Sequence, residues 1–288
     1  MKTYMSMPSG YCDGVTRAIM LANSFKRTHK DKEVYVLGTL VHNEIVTMEL
    51  EKIGIHSLNN KLSNEEKIKS LPNNCCLIFS AHGHDKKLEK MCLDKNIEFL
   101  DATCPIVEMA NNNVRNALKN HHQVIYIGKK EHPETIAILS NGKEIYLYED
   151  IKDKLKVVIK DDTPYVINQT TLSIYEIDDI FKKIKETFPN AIFQNEICNA
   201  TRLRQEAIKK IPDDVDCVFI VGGKDSSNSK RLYEIAKSYF TTLKIFYILN
   251  EDQVDKKALV NCRSAAIISG ASTPINETLK IKVKLMDI

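Results

Sequence analysis

The feature that most constrains this chain is a set of three cysteines at almost equal spacing. Cys12, Cys104 and Cys198 are separated by 92 and 94 residues in a chain of 288. Each follows a strand-like stretch and precedes a stretch of helical character. Regular spacing over a whole chain indicates an internal repeat. The cysteines therefore predict three successive copies of one strand-and-helix unit.

Each third of the sequence also contains two short apolar runs. The first run ends in a glycine 26, 24 and 24 residues after the cysteine, at residues 34–38, 124–128 and 218–222. The second run covers residues 77–81, 165–169 and 265–270. Continuous runs of this length, rich in β-branched residues, are typical of strands buried on both faces of a parallel sheet.

These runs predict an α/β fold of three similar units. Each unit is a small, mostly parallel sheet flanked by helices, and we expect the units to be arranged with pseudo-threefold symmetry around a central site. The predicted boundaries are residues 13–103 for the first unit, 104–197 for the second, and 198–288 together with 1–12 for the third.

Polar side chains follow both runs in every unit, where open α/β sheets bind their ligands. They include His42, His82, His132, Glu134, Thr170, Thr171, Ser226, Ser227, Asn228 and Ser272. Most of them can donate hydrogen bonds, which suits a phosphate or diphosphate near a helix N-terminus. A carboxyl group such as Glu134, in a site that excludes water, can hold a proton near neutral pH and deliver it.

The three cysteines favour an iron–sulfur centre over zinc. Structural zinc sites use four ligands, often in C-x-x-C pairs, and the sequence has no such pair. Three thiolates on a [4Fe–4S] cluster leave one iron open as a Lewis acid, which favours catalysis over electron transfer alone. The remaining cysteines are predicted to be small buried hydrophobes: Cys75, Cys76, Cys92, Cys217 and Cys262.

Charge and composition exclude several classes of protein. With 41 Lys and Arg against 38 Asp and Glu, the formal net charge is only +3, so a nucleic-acid partner is not expected. No apolar run approaches the roughly 18 residues that a membrane helix needs. The N-terminus lacks a signal-peptide pattern, and we expect a cytoplasmic protein. The sequence contains neither a P-loop nor a G-x-G-x-x-G motif.

Three other functions remain open on the residues alone. The first is a non-enzymatic iron–sulfur sensor or electron carrier. The second is a cysteine hydrolase with Cys104 as nucleophile and His82 or His132 as base. The third is cluster-dependent dehydration without net reduction.

Ten short motifs, in order along nearly the whole chain, resemble those of the LytB/IspH family, the 4-hydroxy-3-methylbut-2-enyl diphosphate reductases. They are Gly10-Tyr11-Cys12-Asp13-Gly14-Val15, Leu40-Val41-His42-Asn43, Ser80-Ala81-His82-Gly83, Asp101-Ala102-Thr103-Cys104-Pro105, His132-Pro133-Glu134, Gln169-Thr170-Thr171-Leu172-Ser173, Ile197-Cys198-Asn199-Ala200-Thr201, Arg204-Gln205, Ser226-Ser227-Asn228-Ser229 and Gly270-Ala271-Ser272. Departures from the family pattern at Ser9, Asp13, Ala137, Arg202 and Leu203 remove none of the candidate ligands.

The resemblance implies the last step of the non-mevalonate isoprenoid pathway, in which an allylic alcohol diphosphate loses its hydroxyl as water. It implies that Cys12, Cys104 and Cys198 ligate a [4Fe–4S] cluster. It assigns the diphosphate to His42, His82, Ser226, Ser227, Asn228 and Ser272. Glu134 matches the proton donor, with His132 and Thr170 in its relay and Thr171 as a weaker candidate. Ferredoxin or flavodoxin would supply the electrons.

Overall fold

Parallel four-stranded sheets form the framework of the computed structural model, which describes residues 1–58, 61–151 and 154–288. The strands are β1 (Lys2–Met5), β2 (Val34–Leu37), β3 (Ile55–Leu58), β4 (Cys76–Phe79), β5 (Glu98–Asp101), β6 (Val124–Ile127), β7 (Ile145–Leu147), β8 (Tyr165–Asn168), β9 (Ile192–Gln194), β10 (Cys217–Val221), β11 (Lys244–Ile248) and β12 (Ser264–Ser269).

Helices alternate with these strands along the chain. They are α1 (Asp13–Thr28), α2 (Glu44–Lys52), α3 (Asn64–Ser70), α4 (Lys87–Asp94), α5 (Pro105–Lys119), α6 (Pro133–Leu139), α7 (Tyr148–Ile151), α8 (Leu155–Val158), α9 (Ile174–Thr187), α10 (Asn199–Ile208), α11 (Ser227–Tyr239) and α12 (Ile275–Met286), with short 3₁₀ helices at Glu251–Gln253 and Lys256–Leu259. No helix within the described ranges combines the length and apolar character needed to span a membrane.

The same strand order recurs in the three sheets of the described chain. The orders are β3-β2-β4-β5, β7-β6-β8-β9 and β11-β10-β12-β1, and every neighbouring pair is parallel. In each sheet the two apolar runs of the sequence form the central strands. The strand that precedes a cysteine forms one edge. The prediction of three similar α/β units is therefore confirmed.

The N-terminal strand belongs to the sheet of the C-terminal third. β1 pairs with β12 from Lys2 opposite Ser264 to Met5 opposite Ile267. Strand β1 ends at Met5, so residues 6–12 form a loop between this strand and α1. The exact unit boundaries at residues 13, 104 and 198 stay a prediction.

By contacts, the chain divides into two regions. Region 1 contains residues 1–15, 42–48 and 198–288, and region 2 contains residues 16–41 and 49–197. Region 1 holds the sheet of β1, β10, β11 and β12, and region 2 holds the other two sheets.

The central strands are buried on both faces, as their composition predicts. In β10, Val218 and Ile220 pack against Leu232 of α11, while Phe219 lies on the opposite face with Ile281 of α12. Each fully buried aliphatic or aromatic side chain contributes about 1.5–3 kcal/mol relative to exposure. Helices on both faces of each parallel sheet thus account for the continuous apolar runs.

The edge strands β3, β7 and β11 escape prediction from the sequence. β7 has only three residues, and β3 and β11 are only partly buried, so their composition lacks the continuous apolar signal of the central strands. The five cysteines predicted to be structural lie in or against the cores. Cys75, Cys76, Cys92 and Cys217 are buried, and Cys262 packs on the cluster that contains Cys217.

Candidate functional site

Each of the three repeat cysteines lies directly before the first residue of a helix. Cys12 precedes α1, Cys104 precedes α5 and Cys198 precedes α10. Cys104 and Cys198 have extended backbones with φ of −61° in both, and Pro105 begins α5 in the position that suits proline. A helix N-terminus stabilises negative charge, which favours a thiolate and an anionic centre bound to it.

In region 1, Cys12 and Cys198 are neighbours. The Cys12 backbone N–H donates to the Ala271 carbonyl over 2.9 Å. Burial raises the pKa of the Cys12 thiol, and the charge of Cys198 raises it further, whereas backbone N–H groups and Arg204 lower it. Two thiols at adjoining helix ends are donors of the kind that hold iron–sulfur clusters.

In region 2, the residue before Cys104 is held from both sides. The Thr103 N–H donates to Asp101 Oδ1 over 2.9 Å, and its carbonyl accepts from Arg17 Nη1 over 3.0 Å. The Cys104 N–H itself donates to the Ala81 carbonyl over 3.0 Å. The loop that presents Cys104 is therefore fixed by hydrogen bonds at consecutive residues.

Glu134 is a buried carboxyl group in the first turn of α6. Its Oε1 accepts from the Thr170 N–H and its Oε2 from the Thr170 hydroxyl, each over 2.8 Å. Burial raises the pKa of Glu134 to about 7, although the bonds from Thr170 and Tyr126 lower it. A carboxyl group with this pKa can give up or take a proton at neutral pH.

Tyr126 is a polar neighbour of Glu134 that the sequence analysis does not identify. Its ring is fully buried in β6, and its hydroxyl lies 3.5 Å from Glu134 Oε1. Burial raises the pKa of Tyr126 well above its ordinary value, so the hydroxyl keeps its proton. The one signal in the sequence is a phenol within an otherwise aliphatic run, because a buried hydroxyl needs a partner.

His82 and His132 are the two candidate histidines of region 2. His132 caps α6, and its Nδ1 accepts the backbone N–H of Glu134 over 3.2 Å. In the neutral ring, the proton must then be on Nε2, which becomes the donor. The ring centroids of His82 and His132 are 5.6 Å apart in an edge-to-face arrangement. Thr171 accepts from Gln169 Nε2 over 2.8 Å.

In region 1, the remaining polar candidates lie at or near the N-terminus of α11. Ser226 caps the helix by accepting the Ser229 N–H over 3.2 Å. Asn228 donates to Thr201 over 3.2 Å and accepts the Ala271 N–H over 3.0 Å. A Cβ at Gly222 would come within 2.1 Å of the Ser229 hydroxyl, so glycine allows this close approach.

His42 and Ser272 belong to the same cluster. The Ser272 hydroxyl donates to the His42 carbonyl over 3.1 Å, and Ser227 is the first residue of α11. Burial lowers the pKa of His42, with opposing effects from Asp225 and Lys230, so the ring is neutral near pH 7. Neutral donors at a helix N-terminus form a suitable site for an anion.

The structure thus brings the candidates together in two sets. Region 1 holds Cys12, His42, Cys198, Ser226, Ser227, Asn228 and Ser272, and region 2 holds His82, Cys104, His132, Glu134, Thr170 and Thr171. The meeting of both sets at one centre stays a prediction.

Arg204 is a second residue to which the sequence analysis assigns no role. It lies in α10 with only 2% of its surface exposed, and its guanidinium donates to three backbone carbonyls of region 1. The Arg204-Gln205 motif marks the position, but the sequence does not tell a buried arginine from an exposed one.

Three parallel sheets, cysteines at helix N-termini and a buried titrating carboxyl group define an α/β enzyme. The family model described as LytB protein matches residues 4–286. The chain therefore belongs to the LytB family, and the predicted resemblance is confirmed.

Individual relatives agree with this assignment. The 4-hydroxy-3-methylbut-2-enyl diphosphate reductase of Malacoplasma penetrans is 34% identical over 281 residues, covering 95% of this chain and 93% of that protein. The protein of the same name from Geobacillus thermodenitrificans is 35% identical over 278 residues, covering 95% of this chain and 86% of that protein.

A solved structure supports the fold. The E-1-hydroxy-2-methyl-but-2-enyl-4-diphosphate reductase of Plasmodium falciparum superposes with a TM-score of 0.89 at 30% identity, covering 100% of this chain and 88% of that one.

Proposed function

We propose that this protein reduces 4-hydroxy-3-methylbut-2-enyl diphosphate to isopentenyl and dimethylallyl diphosphate, the last step of the non-mevalonate isoprenoid pathway. The reaction takes up two electrons and two protons, breaks the carbon–oxygen bond of the allylic alcohol and releases one water. The observation that carries the proposal is Glu134, a buried carboxyl group with a pKa of about 7 at the end of a parallel sheet. Relatives with this activity support it.

Cys12, Cys104 and Cys198 would hold a [4Fe–4S] cluster. Three sulfur donors, each at a helix N-terminus, fit a cluster with one iron free of protein ligands. When bound, the cluster supplies the electrons and an open iron that acts as a Lewis acid.

Glu134 would deliver a proton to the hydroxyl group that leaves. Near pH 7 a large fraction of this carboxyl group carries a proton, and both its oxygens are oriented by Thr170. His132 caps the same helix and has Nε2 available as the donor of its neutral ring. We therefore assign the proton relay to Glu134, His132 and Thr170, with Thr171 as a further contact to the substrate.

The diphosphate would bind to His42, His82, Ser226, Ser227, Asn228 and Ser272. The N-terminus of α11 attracts an anion, and the buried neutral imidazole of His42 can donate a hydrogen bond. Binding the diphosphate away from the reacting bond supplies the energy that positions that bond.

We further propose ferredoxin or flavodoxin as the electron donor and the cytoplasm as the location. A reducing compartment suits a chain with eight cysteines and no disulfide among its described residues.

Anaerobic turnover tests the proposal. The protein is purified without oxygen, its iron and sulfide are measured, and reduced viologen is supplied with the substrate. We expect isopentenyl and dimethylallyl diphosphate, with two viologen electrons consumed per product. An otherwise identical reaction without reductant should give no product.

Two results would overturn the proposal. A cluster-loaded protein that leaves the substrate intact, with no change in the cluster spectrum on adding substrate, would indicate an electron carrier or sensor. Product formed without reductant would indicate dehydration alone.

A further inference from the structure

Region 1 contains a buried guanidinium that the proposed reaction does not use. Arg204 is 2% exposed, and burying a charged side chain is costly unless other groups compensate it. Arginine does not escape this cost by losing its proton, because it remains charged in proteins. The fold therefore keeps a fixed positive charge inside region 1.

The hydrogen bonds of Arg204 connect the loop before Cys12 to the first turn of α10, which follows Cys198. Nη2 donates to the carbonyl of Gly10, two residues before Cys12, over 2.7 Å. Nη1 donates to the carbonyl of Ala200, two residues after Cys198, over 3.0 Å. One side chain thus contacts the backbone just before Cys12 and the backbone just after Cys198.

A third bond ties this arrangement to the sheet. Arg204 Nε donates to the carbonyl of Ser269, the last residue of β12, over 3.2 Å. The Ser269 hydroxyl in turn accepts the Gly10 N–H over 3.0 Å. Gly10 has a φ of +85°, a conformation that favours glycine, so the loop before Cys12 is fixed in a specific shape.

The charge of Arg204 also has thiols as its electrostatic partners. Its three hydrogen bonds within the described chain all go to neutral carbonyl oxygens. Burial lowers the pKa of Arg204, while the charges of Cys12 and Cys198 raise it. The guanidinium therefore lies where it is attracted to negative charge on both sulfur atoms.

We propose that Arg204 is a positioning residue for the iron–sulfur cluster: it ties the loop before Cys12 to the first turn of α10, which follows Cys198, and brings a buried positive charge to the backbone next to both candidate ligands. The inference rests on the proposed function for the presence of the cluster. Net charge and hydrogen bonding near a cluster set its reduction potential. A nearby positive charge favours the reduced cluster, which carries one more electron.

The test compares two variants of Arg204 with a matched control on the same helix. Arg204→Gln removes the positive charge and the planar set of guanidinium N–H donors. Arg204→Lys keeps the charge but lacks that set of donors. Arg202→Gln is the control, because Arg202 is exposed and paired with Glu206 over 2.8 Å. Each protein is loaded anaerobically, and its midpoint potential and rate of iron loss to a chelator are measured.

We expect Arg204→Gln to lower the midpoint potential by about 59 mV, a tenfold shift in a one-electron equilibrium. Iron loss should be about tenfold faster, since the loops are no longer tied. Arg204→Lys should keep a potential near that of the wild type and lose iron faster. Arg202→Gln should match the wild type in both measurements.

A purely structural role predicts a different outcome. Folded, loaded Arg204→Gln with the potential of the wild type would overturn the proposal, whatever its rate of iron loss, because a merely structural residue can change iron retention without changing the potential. If that variant does not fold, Arg204→Lys decides, and wild-type iron retention in it would be the overturning result. Neither readout uses the substrate. Failure of wild-type turnover would count against the proposed reaction, whereas the potentials bear on Arg204 alone.

Discussion

Glu134 and Ser226 are both buried polar residues at the start of a helix, yet their surroundings use them differently. Glu134 only accepts hydrogen bonds while ionised, and burial keeps its pKa near 7, so the side chain itself can do proton chemistry. Ser226 accepts the Ser229 N–H and stabilises the helix end. Under the proposed function, region 2 would supply the reactive group and region 1 the anion site.

The largest effect is expected from Glu134→Gln, which removes the reactive group of region 2. The amide can occupy the same space but cannot deliver a proton, so we expect kcat to fall by about 100-fold or more. The cluster spectrum and iron content should be unchanged. Glu131→Gln is the control, since Glu131 is an exposed carboxylate three residues earlier. Turnover by Glu134→Gln equal to that of the control would remove the assigned role.

The pH dependence of turnover tests the same group without changing it. A proton donor must be protonated, so activity should be full below the pKa of about 7 and fall about tenfold per pH unit above it. Thr170→Val removes a hydroxyl that lowers the pKa of Glu134, so the fall should move to higher pH. A profile that rises above pH 7 would contradict this role.

The raised pKa of Glu134 also has a consequence for stability. A carboxyl group whose pKa is higher in the folded protein than in the unfolded chain stabilises the fold. This contribution is fully present when the pH is below the pKa of the unfolded chain, and it is lost as the pH rises through 7. The free energy of unfolding of the wild type, relative to Glu134→Gln, should therefore decrease between pH 5 and pH 8. Urea unfolding of both proteins at each pH measures this difference.

Substitution of Asn228 tests the proposed anion site of region 1, with a smaller expected effect on turnover. Asn228→Ala loses the bonds to Thr201 and Ala271, and we expect KM to rise about tenfold, the effect of roughly 1.4 kcal/mol. Asn228→Asp keeps an acceptor for the Ala271 N–H but adds a negative charge. An anion site predicts a higher KM for Asp than for Ala. The opposite order would indicate that Asn228 only maintains packing.

The smallest expected effect is the loss of the α11 cap. Ser226→Ala should reduce the free energy of unfolding by about 1 kcal/mol, because the Ser229 N–H loses its acceptor. Ser238→Ala, at an exposed position of the same helix, should change it much less. Denaturant unfolding of the two variants compares them, and equal stabilities would show that the cap is not needed.

The sequence predicts the central strands well, because their signal is local. Residues 34–38 and 124–128 contain the strands β2 and β6 almost to the residue, and the glycines fall just beyond them. Arg204 and Tyr126 could not be assigned in this way. Their surroundings depend on groups distant in the chain, such as Gly10, which is 194 residues from Arg204.

The roles of the polar candidates were only partly predictable for a related reason. A serine after a strand can cap a helix, bind a ligand or do both, and composition does not distinguish these roles. The structure shows that the Ser226 hydroxyl caps α11, while Ser272 donates to the His42 carbonyl. Local geometry, rather than residue type, decides which donors face a substrate.

The pairing of β1 with β12 has a consequence for biosynthesis. Strand β1 is made first, but its partner strand β12 and the Ala271 carbonyl that accepts the Cys12 N–H lie near the other end of the chain. On a ribosome, Cys12 therefore emerges long before β12 and lacks its final surroundings until β12 has emerged as well. The cluster binding proposed for Cys12 would thereby be postponed until β12 and Ala271 have been made.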